Sequence, residues 1–185
     1  MIHLLFRKPR MPVVGVLRVH PRKEYKGREG HAVADAAIQR LIASCEMTSV
    51  NIDTRLDSNA TGLRTLSEVE SLIARMDVVV TTRLHGLVLA LKNDVPALAI
   101  DPVFGGAKIR RQAKTVGWPV IFTADKLNDK VLRKAFDYCL TDTARAEARK
   151  CRTRGQGGGQ GTPSVHRCHR ASISHERISP CESLS

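Results

Sequence analysis

Aromatic residues are scarce in this chain. Four Phe, two Tyr and one Trp make up 4% of 185 residues, which leaves few rings for stacking on bases or sugars. Long apolar runs are missing as well. The longest, around Gly86 to Leu91, falls far short of the roughly 20 residues a membrane-spanning helix needs, so no membrane span is expected. No ordinary signal peptide opens the sequence either: Ile2, Leu4, Leu5 and Phe6 precede Arg7, Lys8 and Arg10, the reverse of the charge-first order of an export signal. Cysteine is sparse, odd in number and unevenly spaced, at positions 45, 139, 151, 168 and 181. That usage suits free thiols in a reducing compartment, and the chain reads as cytoplasmic.

Acidic residues are also in deficit, 18 against 30 Lys and Arg, for a net charge of +12. The distribution of that charge decides what it means. Residues 1–28 hold eight Lys or Arg against Glu24 alone, and residues 151–185 hold five against two Glu, so the body between carries a surplus of only +2. Basic surfaces bind nucleic acid by releasing counterions from the phosphate backbone. Here the charge sits at the ends, with no recognition-helix signature, aromatic nucleic-acid motif or zinc spacing, so no specific nucleic-acid partner is expected.

What is present is an alternation of strand and helix patterns. Val13 to Leu17 is a β-branched apolar run fit for a buried strand. His31 to Glu46 places Ala34, Ile38, Leu41, Ile42 and Cys45 at helical spacing. Ser49 to Ile52 reads as a short strand, and the polar stretch Asp53 to Arg64, punctuated by Asn59 and Gly62, reads as a loop. A helix follows whose start is marked by a capping box, Thr65 with Glu68 or Ser67 with Glu70. Val78 to Thr82 is an uninterrupted strand that must be covered on both faces. Leu84 to Leu91 then fits an internal helix stopped near Asn93, before a strand from Val95 to Ile100. Gly105 and Gly106 precede a basic helix, Lys108 to Val116, closed by Gly117. Pro119 to Thr123 is a fifth strand, and Leu127 to Leu140 a last helix.

Such alternation implies a doubly wound, Rossmann-like α/β domain with a parallel sheet of about five strands. We place an irregular N-terminus at 1–11, the domain at 12–150 and a low-complexity, disordered tail at 151–185. The tail's His166, Cys168, His169, His175 and Cys181 match no structural zinc spacing, so no metal site is expected.

The chemistry-bearing stretch runs from Asp77 to Ile100, DVVVTTRLHGLVLALKNDVPALAI. In open parallel sheets ligands bind beyond the carboxyl ends of the strands, where helix N-termini present free N–H groups. Arg83, Leu84 and His85 stand at such a junction. Arg83 offers a planar fork for carboxylate or phosphate, and His85 can exchange a proton near neutral pH. The blander reading makes Arg83 a structural ion-pair partner and His85 an ordinary helix residue. Two polar residues interrupting an apolar strand-to-helix block favour a site.

That block, with the VPALAI strand behind it and Lys108 further on, resembles the signature of the polysaccharide pyruvyl transferase family. The resemblance implies one half of a two-domain fold like the GT-B glycosyltransferases, acting on phosphoenolpyruvate as donor substrate and a glycan acceptor in cell-surface polysaccharide biosynthesis, with no cofactor. It implies Arg83 and His85 as catalytic residues and Arg83, Leu84, His85, Lys108 and Arg18 as substrate-binding residues. Arg18 also belongs to a basic run with Arg22, Lys23, Lys26 and Arg28. At Lys108, the glycines before it would let backbone amides approach a phosphate. Family members are about twice this length, so the chain is expected to be a fragment with little activity alone, completed by a missing N-terminal domain or a homo-oligomer. Two rivals remain: a nucleotide-sugar glycosyltransferase half-domain, which needs a carboxylate for the ribose, and a non-catalytic anion-binding or interaction domain.

Overall fold

The computed structural model describes residues 11–19, 30–57 and 59–157, with side chains up to 155. Five parallel strands form one sheet: β1 (Val13–Leu17), β2 (Thr48–Asn51), β3 (Val78–Thr81), β4 (Ala97–Asp101) and β5 (Ile121–Thr123), in the order β2-β1-β3-β4-β5. The strands of β3 and β4 are buried along their whole length, as a strand covered on both faces must be. Three of the four residues of β2, by contrast, are exposed at the sheet edge.

The helices are α1 (His31–Ser44), α2 (Leu66–Ile73), α3 (Leu84–Lys92), α4 (Lys108–Val116), α5 (Asp129–Cys139) and α6 (Asp142–Gly157), with a short 3-10 turn at Ala124–Lys126 before α5. Helix α1 packs on α5, while α2 and α4 each pack on α3. An aliphatic core lies between, led by Val14, Val16, Leu17, Ile38, Ile73, Leu87, Leu98, Ile100 and Leu132, with Phe136 as the largest fully buried ring. The one Trp, Trp118, is 2% exposed and donates its indole N–H to the Ala97 carbonyl at 2.7 Å, so its polar atom is satisfied inside the core. None of the described helices is long and apolar enough to cross a membrane.

Local signals act as the sequence requires. Of the two capping boxes, Thr65 with Glu68 forms: Glu68 N–H donates to Thr65 Oγ1 at 3.2 Å and the Glu68 carboxylate accepts from the Thr65 N–H at 3.2 Å. Gly117 ends α4 in the left-handed region, φ 74°. Element ends shift by a few residues. The fourth strand starts at Ala97 rather than Val95, whose N–H instead closes the turn after α3 onto the Ala90 carbonyl at 2.9 Å. The fifth is trimmed to three residues, because Pro119 has no N–H for the ladder.

One boundary needs correction. The tail was expected from 151, but α6 runs on to Gly157 and buries Cys151, along with Ala144 and Ala148, against α3 and α4. Arg152 pairs with Asp94 at 2.8 Å and Arg154 Nη1 donates to the Val116 carbonyl at 3.4 Å. Small residues at 144, 148 and 151 form a narrow apolar stripe on an otherwise charged helix, too sparse to reveal a buried face by hydrophobicity. The N-terminal stretch, the basic run from Arg22 to Arg28 and the His- and Cys-bearing tail lie outside the described residues.

Candidate functional site

The order β2-β1-β3-β4-β5 reverses direction at β1, so the crevice for a ligand should open beyond the carboxyl ends of β1 and β3. The chain reaches this edge at Arg18 after β1, at Asp53 after β2 and at Arg83 after β3. Two threonines lock the edge together. Thr81 Oγ1 donates to the Leu17 carbonyl at 3.1 Å and accepts from the Arg83 N–H at 2.9 Å. Thr82 Oγ1 accepts from the Val19 N–H at 2.8 Å, and Thr82 N–H donates to the Leu17 carbonyl at 3.0 Å.

Helix α3 starts tightly against this lock. A Cβ on Gly86 would lie 2.3 Å from Thr81 Oγ1 and 3.2 Å from Leu17 Cδ2, so only glycine lets the first turn of α3 approach β1 and β3. Arg83 occupies the N-cap in extended conformation, and its side chain makes no cap hydrogen bond. The start of α3 is also the positive end of its helix dipole, which favours an anion.

Arg83 is half-buried, and its guanidinium is already engaged. Nη1 donates to Asp53 Oδ1 at 2.7 Å and to Thr54 Oγ1 at 2.8 Å. Because β1 lies between β2 and β3, this reach carries the guanidinium across the carboxyl end of β1. Nε and Nη2 form no hydrogen bond among the described residues. Burial alone would raise the Asp53 carboxyl, but the Arg55 N–H, the hydrogen bond and charge of Arg83 and the Ala60 N–H outweigh it and hold it at about 2. His85, in the first turn of α3, is exposed, and Leu84 between them is half-buried.

The other expected contacts sit differently. Arg18 runs along α1, where the Gln39 amide, turned with its oxygen toward the guanidinium, accepts from Nη1 and Nη2 at 2.8 Å each. Its Nε is buried without a hydrogen-bond partner among the described residues. Lys108 is exposed at the first position of α4. The phosphate cradle expected around it is filled from within the chain. Asp101, 1% exposed at the end of β4, accepts from the Ala107 N–H at 2.6 Å, the Arg110 N–H at 3.1 Å and the Val103 N–H at 3.1 Å. The Gly105 N–H goes to Asp125 Oδ1 at 3.1 Å and the Gly106 N–H to the Val103 carbonyl at 2.9 Å. A buried carboxylate at the end of a strand takes the amides that the sequence offered to a ligand. Arg110 and Arg111 are exposed on α4, as expected.

Sequence reasoning missed Asp53, Thr81, Thr82 and Asp101. The signal for Asp53 and Asp101 was available: each is a carboxylate on the last residue of a strand or just after it, where it must find donors once buried.

Two concavities among the described residues lie elsewhere. One is a shallow depression on α2 lined by Leu63, Leu72 and Arg75, the other a cleft of about 120 Å³ between α1 and α5. Neither touches Arg83. The site is an open edge.

Fold and site together define the class: an open parallel α/β domain with a cation-bearing helix N-terminus at its topological switch point, the architecture of one half of a GT-B-like fold. The solved crystal structure of CalG4, the calicheamicin glycosyltransferase, is similar with a TM-score of 0.51 at 17% identity, over 82% of this chain and 39% of that one. This chain therefore spans well under half the length of that protein. Residues 16–102 match the family model of polysaccharide pyruvyl transferase, which bears out the resemblance read from the RLH block. Arg18, Asp53, Arg83, Leu84 and His85 fall within the match, and Lys108 falls outside it. No curated protein matches the chain.

Proposed function

We propose that this chain is the donor-binding half of a pyruvyl transferase, which takes phosphoenolpyruvate at the carboxyl edge of β1 and β3 for transfer of pyruvate to glycan hydroxyls. One observation carries the reading: a half-buried arginine stands at the N-cap of α3, where its side chain makes no cap hydrogen bond and reaches across the end of β1 instead, with an exposed histidine two residues on. The free edge of the Arg83 guanidinium and the amides of α3 supply directional donors to a carboxylate or phosphate. Leu84 contributes backbone contact, and Lys108 at the start of α4 and Arg18 after β1 add positive charge.

His85 delivers a proton to the methylene carbon of the donor, giving a cationic centre at the neighbouring carbon. A sugar hydroxyl attacks that centre and releases its own proton. Departure of phosphate then regenerates a cation, which a second hydroxyl captures, losing its proton to the released phosphate or to water, to close the ketal. Arg83 stabilises the leaving phosphate, an electrostatic role of the kind that usually supplies the largest share of catalysis. A two-domain cleft is completed by a second domain, so this domain tested by itself binds the donor weakly and turns over little.

The glycosyltransferase reading draws on the CalG4 likeness, but it needs a carboxylate free for a ribose. Asp53, Asp101 and Asp125 at this edge all accept hydrogen bonds from their own chain.

Thermal unfolding with phosphoenolpyruvate or with a nucleoside diphosphate separates the readings. Protection by phosphoenolpyruvate that disappears in Arg83→Ala and survives in His85→Ala is expected, since protonation matters chiefly in the transition state. Protection by the nucleotide alone would overturn the proposal.

A further inference from the structure

We infer that Asp53, assisted by Thr54, is the positioning residue of this site: it clamps one edge of the Arg83 guanidinium across the carboxyl end of β1 and so presents the other edge to the anion. The inference rests on the reading of Arg83 as the donor's ligand. Asp53 is 7% exposed, and its carboxylate meets Arg83 Nη1 at 2.7 Å. The clamp is itself held. Asp53 Oδ1 accepts from the Arg55 N–H at 3.0 Å, and the Asp53 and Arg55 carbonyls both accept from Asn59 Nδ2, at 2.9 and 2.6 Å. Asn59 Oδ1 in turn accepts from the Thr61 and Leu63 N–H groups at 2.8 and 3.2 Å. The loop between β2 and α2 is thus wired around a carboxylate, which fits its position opposite Arg83 better than a plain connection would.

An arginine on a free side chain loses rotamer freedom when it takes an anion; one already fixed along its Nη1 edge loses little. The charge of Asp53 works the other way, because it cancels part of the field that attracts an anion. The two effects predict opposite signs when the charge is removed. If positioning dominates, Asp53→Asn weakens anion binding; if Asp53 only neutralises Arg83, the same change tightens it.

The experiment titrates phosphoenolpyruvate by calorimetry into the unmutated chain, Asp53→Asn and Thr54→Val. In parallel, the Arg83 Nε–H resonance, assigned by its loss in Arg83→Lys, reports guanidinium order. Expected are about tenfold weaker binding in Asp53→Asn, a smaller loss in Thr54→Val, and an Arg83 resonance that broadens while the strand amides stay in place. Unchanged or tighter binding with a sharp Arg83 resonance would overturn the inference. If the unmutated chain binds no phosphoenolpyruvate, the donor reading fails by itself; a resonance ordered in that chain and lost in Asp53→Asn still upholds the clamp, and one ordered in both removes it. Should Asp53→Asn not fold, Thr54→Val carries both readouts by the same criteria.

Discussion

The β3–α3 and β4–α4 junctions are neighbours at the same edge of the sheet, and both place a basic residue where a helix begins, Arg83 before α3 and Lys108 opening α4. They have become opposite kinds of site. At β4–α4 the last strand residue is Asp101, whose buried carboxylate saturates the amides that an incoming anion would use. At β3–α3 the corresponding strand end is Thr81, whose hydroxyl ties the backbone to β1, and the N-cap residue Arg83 makes no side-chain cap hydrogen bond to α3. A helix N-terminus with a cation beside it is therefore available to a ligand only if the strand that feeds it supplies no anion of its own.

Removing the internal anion should break the comparison most forcefully. Asp101→Ala strands three N–H groups and should destabilise the domain by about 3 kcal/mol in urea unfolding. Inorganic phosphate should then raise the melting temperature of the variant by more than it raises that of the unmutated chain, since the freed amides of α4 become an anion site additional to the one at Arg83.

The glycines sharpen the contrast next. Gly86 is held by space: a Cβ there meets Thr81 at 2.3 Å, so Gly86→Ala should cost about 2 kcal/mol and weaken anion binding by lifting α3 off β3.

Asp53 gives the pH dependence. Its carboxyl is lowered from 3.8 to about 2, so its contribution of about 2 kcal/mol is complete above the unfolded value and disappears as pH falls through the folded one. Unfolding free energies measured from pH 5 down to pH 2 should show that loss, and Asp53→Asn should remove it, although other carboxylates will still titrate.

The smallest effect belongs to Gly105. It has open space around it but φ of 78°, so Gly105→Ala should cost about 1 kcal/mol through backbone strain alone and leave anion binding at Arg83 unchanged. A loss of binding as large as that of Gly86→Ala would show that the two junctions are coupled rather than separate.

Much of this molecule was legible as sequence because its signals are local and periodic. The mostly apolar VVVT and ALAID strands, the Thr65–Glu68 capping box and the helix stop at Gly117 each depend on residues within a turn or two, and each forms, the strands with their ends shifted by a residue or two. Arg83 and His85 stood out for a similar reason, as polar interruptions of an apolar block. Helix α6 did not, because its buried stripe consists of Ala and Cys among charges and gains its apolar character only from α3 and α4 beneath it.

The sequence by itself determined the strand-helix alternation, the parallel sheet and the placing of Arg83 and His85 where the third strand gives way to a helix. Tertiary structure alone decided which cations remain available there. Arg83 meets Asp53 across 30 positions, a pairing set by the sheet order that brings β2 and β3 to either side of β1. Asp101 turns back on α4 because, once buried at the end of β4, a carboxylate cannot go without donors, and the nearest ones are the amides that the sequence had offered to a phosphate.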